Sequence, residues 1–147
     1  MTAPLTNTPH WSFWLIAILM LLWNALGCIN FVVQLNPDMI AAYRQTEQAV
    51  IHLRPWWATA GFAIAVFAGA LGCLFLLFKK SKALGLFIAS FVGVIITMLN
   101  TFTANVHFTL GEWIGIIVLP MVLAALLITY THYAINKGWL TAPSKHP

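Results

Sequence analysis

Charge is what this chain has least of. Only 7% of its 147 residues are Asp, Glu, Lys or Arg, against about 25% in an ordinary soluble domain. Seven Lys and Arg and three Asp and Glu cannot clothe a soluble fold of this size. Disorder is excluded by the opposite excess, since 61% of the residues are hydrophobic and disordered chains are poor in them. Signature motifs are missing too. There is no P-loop, no dinucleotide glycine fingerprint and no Ser/His/Asp set with the look of an active site. The remaining class is an integral membrane protein, and no enzyme activity is expected.

What is present is a set of long apolar runs. A spanning helix needs roughly 20 such residues, because the hydrocarbon core is about 30 Å thick. Four runs qualify, at about 11–33, 56–78, 83–102 and 113–133. They predict an all-α, polytopic membrane protein: a four-transmembrane-helix bundle forming a single membrane domain over 1–147, with a tail at 134–147. A β-barrel is disfavoured, because its strands read as segments of about ten residues alternating in and out. Pro120 predicts a kink in the fourth run, which neighbouring helices in lipid can tolerate. The first run is too long for a signal-peptide core, and no Lys or Arg precedes it.

With four spans, both termini and the second loop share a side. That side holds Lys79, Lys80, Lys82, Lys137 and Lys145; the other holds Arg44 and Arg54, offset by Asp38, Glu47 and Glu112. The bias predicts cytoplasmic termini. The basic residues are few and not interleaved with aromatics, so no nucleic-acid partner is expected. The bilayer is the partner this composition demands. Trp11, Trp14, Trp56, Trp57, Trp113, Tyr130, Tyr133 and Trp139 sit near the span ends, as an interfacial aromatic belt does.

The one long loop covers 34–55. Asn36-Pro37-Asp38 reads as a helix start. Met39, Ile40, Tyr43, Val50, Ile51 and Leu53 then give an apolar face, and Arg44, Gln45, Glu47 and Gln48 a polar one. The prediction is a short amphipathic helix in the first extracytoplasmic loop, ending before Pro55. It either packs over the bundle mouth or serves as a lid or partner site.

Scarcity also limits the chemistry inside the bundle. No carboxylate lies in the first three spans, which excludes a proton-coupled mechanism built on a membrane-embedded Glu in the first helix. Glu112, at the mouth of the fourth, suits a helix N-terminus through the dipole; a proton-coupling role is the alternative. The two cysteines, Cys28 and Cys73, differ in expected depth by nearly 20 Å at about 1.5 Å per residue. A disulfide needs Cα atoms within about 7 Å, so they should not pair, and quinone-linked thiol oxidation is excluded. The five His residues form no pair with ligand spacing at matching depth. No metal and no cofactor are expected.

Uncharged polar residues are the sharper signal. Asn24, Asn30 and Gln34, with Gly27, fall within about 120° on the first helix, and Ser90, Gly93, Thr97 and Asn100 within about 80° on the third. Gly61, Ala65, Ala68, Gly69 and Gly72 form a small-residue stripe on the second. Two readings stand. One is interhelical glue, since small residues let helices approach and amides bond between them. The other is a polar pocket between the first and third helices, open to the outer side, where Asn30, Gln34 and Asn100 should lie. Carboxamides there would suit sugar-like hydroxyls. The candidate binding residues are Asn24, Asn30, Gln34, Thr97, Asn100 and Glu112.

Leu22-Trp23-Asn24 with Gly27, and the Gly/Ala-rich stretch from Trp57 to Phe78 closed by Lys79-Lys80, resemble a family of small bacterial four-helix membrane proteins. The resemblance covers about residues 11–103. It implies the bacterial inner membrane, and it brings no catalytic motif. Some members carry a sugar-transporter label, so it also implies solute transport as one function. The first expectation is a structural or accessory role, binding itself as a homo-oligomer or a membrane-protein partner through its small-residue faces, and solute transport is the alternative.

Overall fold

The structure, a computed structural model, describes residues 7–141; Lys145 lies outside them. Six helices follow in order: α1 Trp11–Val33, α2 Pro37–Ile40, α3 Gln45–His52, α4 Trp56–Leu77, α5 Ala83–Thr103 and α6 Leu110–Asn136. Four of them, α1, α4, α5 and α6, are long and apolar enough to cross a membrane. The fold is an all-helical four-helix membrane bundle. The fourth span begins at Leu110, ahead of the expected Trp113, because Thr109 and Glu112 form a capping box that satisfies the first amides.

Two local features differ from expectation. The surface helix is not one piece: α2 and α3 are separated by a turn at residues 41–44. The side chains that follow hold the break. The Gln48 amide donates to the carbonyls of Tyr43 at 2.7 Å and Ala41 at 3.3 Å, and the Glu47 carboxylate accepts from the Arg44 N–H at 3.3 Å. Such side-chain bonds compete with helix continuation. The second feature is the response to Pro120. Proline has no N–H, and its ring presses on the carbonyl four residues back. The helix answers with a π-helical segment, Trp113–Val118, just before it.

The central pair is α4 against α5, with α1 packed on α4 and α6 on α5. The pair is close because glycine lines it. A Cβ built on Gly93 would stand 2.5 Å from the Ala65 nitrogen and 2.6 Å from the Gly61 carbonyl oxygen. The small-residue stripe read on the second span therefore packs within this chain: Gly61, Ala65, Gly69 and Gly72 are all buried.

The end carrying Lys79, Lys80, Lys82 and Lys137 is the tight end. Phe13 and Ala17 of α1 share one core there with Cys73, Leu76, Phe87, Leu127, Ala134 and Leu140. The Phe13 ring stacks on Tyr130 at 6.4 Å and meets Trp139 edge-on at 5.9 Å, so these two aromatics belong to the packing as well as to the interface. Both α4 and α6 stop here in the same way. Lys79 (φ 55°) and Gly138 (φ 72°) take the left-handed conformation. The next N–H returns to the helix in each case, Lys80 to Phe75 at 2.8 Å and Trp139 to Ala134 at 3.0 Å. This is a Schellman closure. Thr141 then ties the two ends together, donating its N–H to the Lys79 carbonyl at 2.7 Å.

The other half of the core is built differently. Ala65, Val94, Met98, Ile117 and Ala124 come from α4, α5 and α6. α1 contributes nothing to this cluster. Toward the loop end α1 keeps its packing on α4, with Gly27 against Val66 and the Phe31 ring 5.5 Å from that of Phe62.

Candidate functional site

Where α1 leaves the core, a cavity of about 450 Å³ opens, a size in the range of about 300–1,000 Å³ usual for small-molecule sites. Its walls are α1, α5 and α6, with Ala65 and Val66 of α4 behind, and Val50 and Ile51 of α3 over it. On α1 it runs from Trp23 to Gln34, roughly 16 Å at about 1.5 Å per residue. Trp23 is 38% exposed and Leu26 63%, and Gly115 across from them on α6 is exposed. The cavity thus opens sideways between two spanning helices.

Of the six residues singled out from the sequence, Asn24, Asn30, Gln34 and Thr97 line this space; Asn100 and Glu112 do not. The pocket lies between the first and third spans with two corrections. α6 supplies a third wall, and α3 adds Val50 and Ile51 to the lining at the end expected to be open. Several polar groups are already committed. Asn24 Nδ2 donates to the Met20 carbonyl at 2.8 Å and approaches Cys73 Sγ at 3.8 Å. Ser90 donates to the Ala65 carbonyl. The Thr97 hydroxyl folds back onto the Gly93 carbonyl at 2.9 Å. These groups bind their own bundle.

The loop end is more open in its chemistry. Tyr43 donates its hydroxyl to Asn30 Oδ1, which also accepts from Gln34 Nε2 at 3.3 Å. Gln34 Oε1 in turn accepts from Arg54 Nη1 at 2.8 Å. This chain of side chains fastens α1 to the loop helices. The Arg54 guanidinium lies 5.1 Å from the centre of the Phe62 ring, within cation–π reach. Burial pulls Arg54 below its ordinary pKa, opposed by the Tyr43 hydroxyl, and an arginine stays charged nonetheless. Sequence reasoning missed both residues. Periodicity puts Tyr43 on the apolar face of a continuous helix, which the structure breaks. Charge counting gives Arg54 only a place in the topology, although a lone cation directly before Pro55-Trp56 is a visible signal.

Glu112 is buried outside the cavity and works as a clasp. Its Oε2 accepts from the Thr109 N–H at 2.8 Å and the Thr109 hydroxyl at 2.9 Å, and its Oε1 accepts from Thr46 of α3 at 2.6 Å. Arg44, at 4.0 Å and exposed, adds little to it. Glu112→Ala is expected to release α3 from α6. Hydrogen exchange over residues 45–52 should quicken several-fold while the spans stay protected. Unchanged exchange there would show that the clasp does not hold α3.

No three His, Cys, Asp or Glu among the described residues come together as a metal set, and Cys28 and Cys73 are both free thiols. Comparison of the chain with protein-family models, with curated proteins and with solved structures found no match. The functional argument therefore rests on the cavity itself.

Proposed function

We propose that this protein is a small-solute binding and transport protein of the bacterial inner membrane, with the cavity between α1, α5 and α6 as its site. The cavity is the observation that carries the reading. A bundle serving only as a scaffold gains from filling such a space, since voids forfeit dispersion contacts. Here the space is instead left open beside Asn30, Gln34 and Arg54, under a loop helix held in place by the Glu112 clasp. The lysines gathered at the tight end support cytoplasmic termini; on that reading α3 and the polar end of the cavity lie outside.

The accessory reading has less to work with. The small-residue stripe that would bind a partner helix is buried against α5 and α1. What α1 still presents, through Leu15, Ile18, Leu22 and Ile29, is the face any lipid-exposed helix shows.

The test uses purified protein in liposomes and a panel of neutral sugars, polyols and medium-chain carboxylates. Wild type is expected to bind or move at least one class. Gly115→Trp should cut that by about tenfold or more: Gly115 lines the cavity and a Cβ there meets nothing within 4 Å, so the indole has room to start into the space. Gly85→Trp, also open and away from the cavity, should leave activity unchanged. No binding and no movement of any solute by wild type would overturn the reading.

A further inference from the structure

The chemistry of the cavity narrows its ligand, an inference that rests on the reading above. Charge is the first observation. Arg54 lines the cavity, yet its one hydrogen-bond acceptor among the described residues is the neutral Gln34, and its Nε, buried, has none. The ion pair that the described residues form is elsewhere, between Arg44 and Glu112. Glu47 also lines the cavity, but its carboxylate lies outside ion-pair distance of Arg54 and accepts from the Arg44 N–H. A half-buried guanidinium without a carboxylate partner is an incomplete arrangement. Its planar fork matches carboxylate and phosphate oxygens.

The walls are the second observation. Beyond Arg54 the cavity passes Phe62, Val66, Val94, Met98 and Leu123 to reach Phe87 and Leu127. The hydroxyls on the way are turned back: Thr97 bonds the Gly93 carbonyl and Thr101 the Thr97 carbonyl at 3.1 Å. Each has spent its one donor, so a ligand dense in hydroxyls would find few donors for its own oxygens there, which is costly. An apolar chain would not. The third observation is the opening, which lies between the spans α1 and α6 and so faces lipid.

We propose that the cavity holds an anionic amphiphile, with a carboxylate or phosphate head at Arg54 and an apolar chain lying toward Phe87 and Leu127, admitted from the bilayer between α1 and α6.

The test uses the full chain in nanodiscs of neutral phosphatidylcholine, with dodecanoate, dodecyl phosphate and dodecanol as probes and acetate and inorganic phosphate as chainless competitors. At least one anionic probe should bind about tenfold or more tightly than dodecanol, as a charge-assisted contact implies. The better of the two identifies the head. Acetate and phosphate should not compete. Arg54→Gln should abolish the preference for the anionic head while dodecanol binding persists, and Arg54→Lys should retain part of it. Equal binding of dodecanol and both anionic probes to wild type would overturn the proposal, and so would full competition by acetate or phosphate. The wild-type comparison decides even if Arg54→Gln does not fold. Uptake of sugars or polyols without amphiphile binding would refute the inference and leave the transport reading intact. Failure of every probe would remove both.

Discussion

Gly93→Val is expected to leave no monodisperse protein after detergent extraction, whereas Gly85→Val behaves as wild type. The argument is geometric. An added Cβ at position 93 meets the Ala65 nitrogen at 2.5 Å, the Gly61 oxygen at 2.6 Å and the Ala65 Cα at 3.0 Å. All three are backbone atoms of α4, and none can rotate away as a side-chain tip would. Relief requires α4 and α5 to move apart. That separation breaks contacts along the most extensive helix pair of the bundle and also the Ser90 bond to the Ala65 carbonyl. Overpacking a core commonly costs about 1–3 kcal/mol where side chains can adjust, and here they cannot. A Cβ at Gly85 meets nothing within 4 Å, so the control makes the same chemical change without the collision. A well-behaved, folded Gly93→Val protein on size exclusion would show that α4 and α5 are not in backbone contact.

The small-residue faces of this pair are legible in the sequence. Gly61, Ala65, Gly69 and Gly72 recur at helical spacing, and Gly93 falls on the polar arc of the third span. Spacing alone says that such faces permit close approach; it does not say which helices use them. The four spans themselves were readable because apolar length is a direct physical requirement of the bilayer. The break at residues 41–44 was not. Periodicity runs through Tyr43, and only the Gln48 and Glu47 side chains, reaching back to the turn, decide against continuation. The π segment before Pro120 was half legible: proline announces a perturbation without stating how the helix absorbs it.

The site divides in the same way. Asn24, Asn30, Gln34 and Thr97, which line the cavity, are legible because uncharged polar side chains on apolar helices stand out against their background. Arg54 and Tyr43 are not, because each lies in the loop, where polar residues are ordinary. Their role arises from long-range contacts, twenty residues from Gln34 in one case and thirteen from Asn30 in the other. A helical wheel places residues on a face but not against a loop. Glu112 reads from the sequence as an acid suited to a helix N-terminus and as a binding candidate; its partner Thr46 is sixty-six residues away. No local pattern carries that information.

Asn24 and Asn100 look alike in the sequence, and the structure separates them. Asn24 is buried with its Nδ2 on the Met20 carbonyl and beside Cys73 Sγ. A Cβ on Gly69 would collide with the Asn24 side chain, so the amide is fitted closely to α4. Asn100 is 4% exposed, and its Nδ2 has no partner among the described residues. A buried donor without an acceptor costs about 1–3 kcal/mol, and an apolar residue of similar shape removes that cost. Asn100→Leu is therefore expected to stabilise the protein by roughly that amount, raising its thermal midpoint. The same change at position 24 should lower the midpoint, because it removes a satisfied donor and presses a branched side chain toward Gly69. Thermal unfolding of both variants in one detergent gives the comparison. If the two amides were interchangeable glue, both substitutions would destabilise. A fall for Asn100→Leu would mean that its amide has a partner in the membrane, a water or a second protein, and would move Asn100 back among the residues that bind.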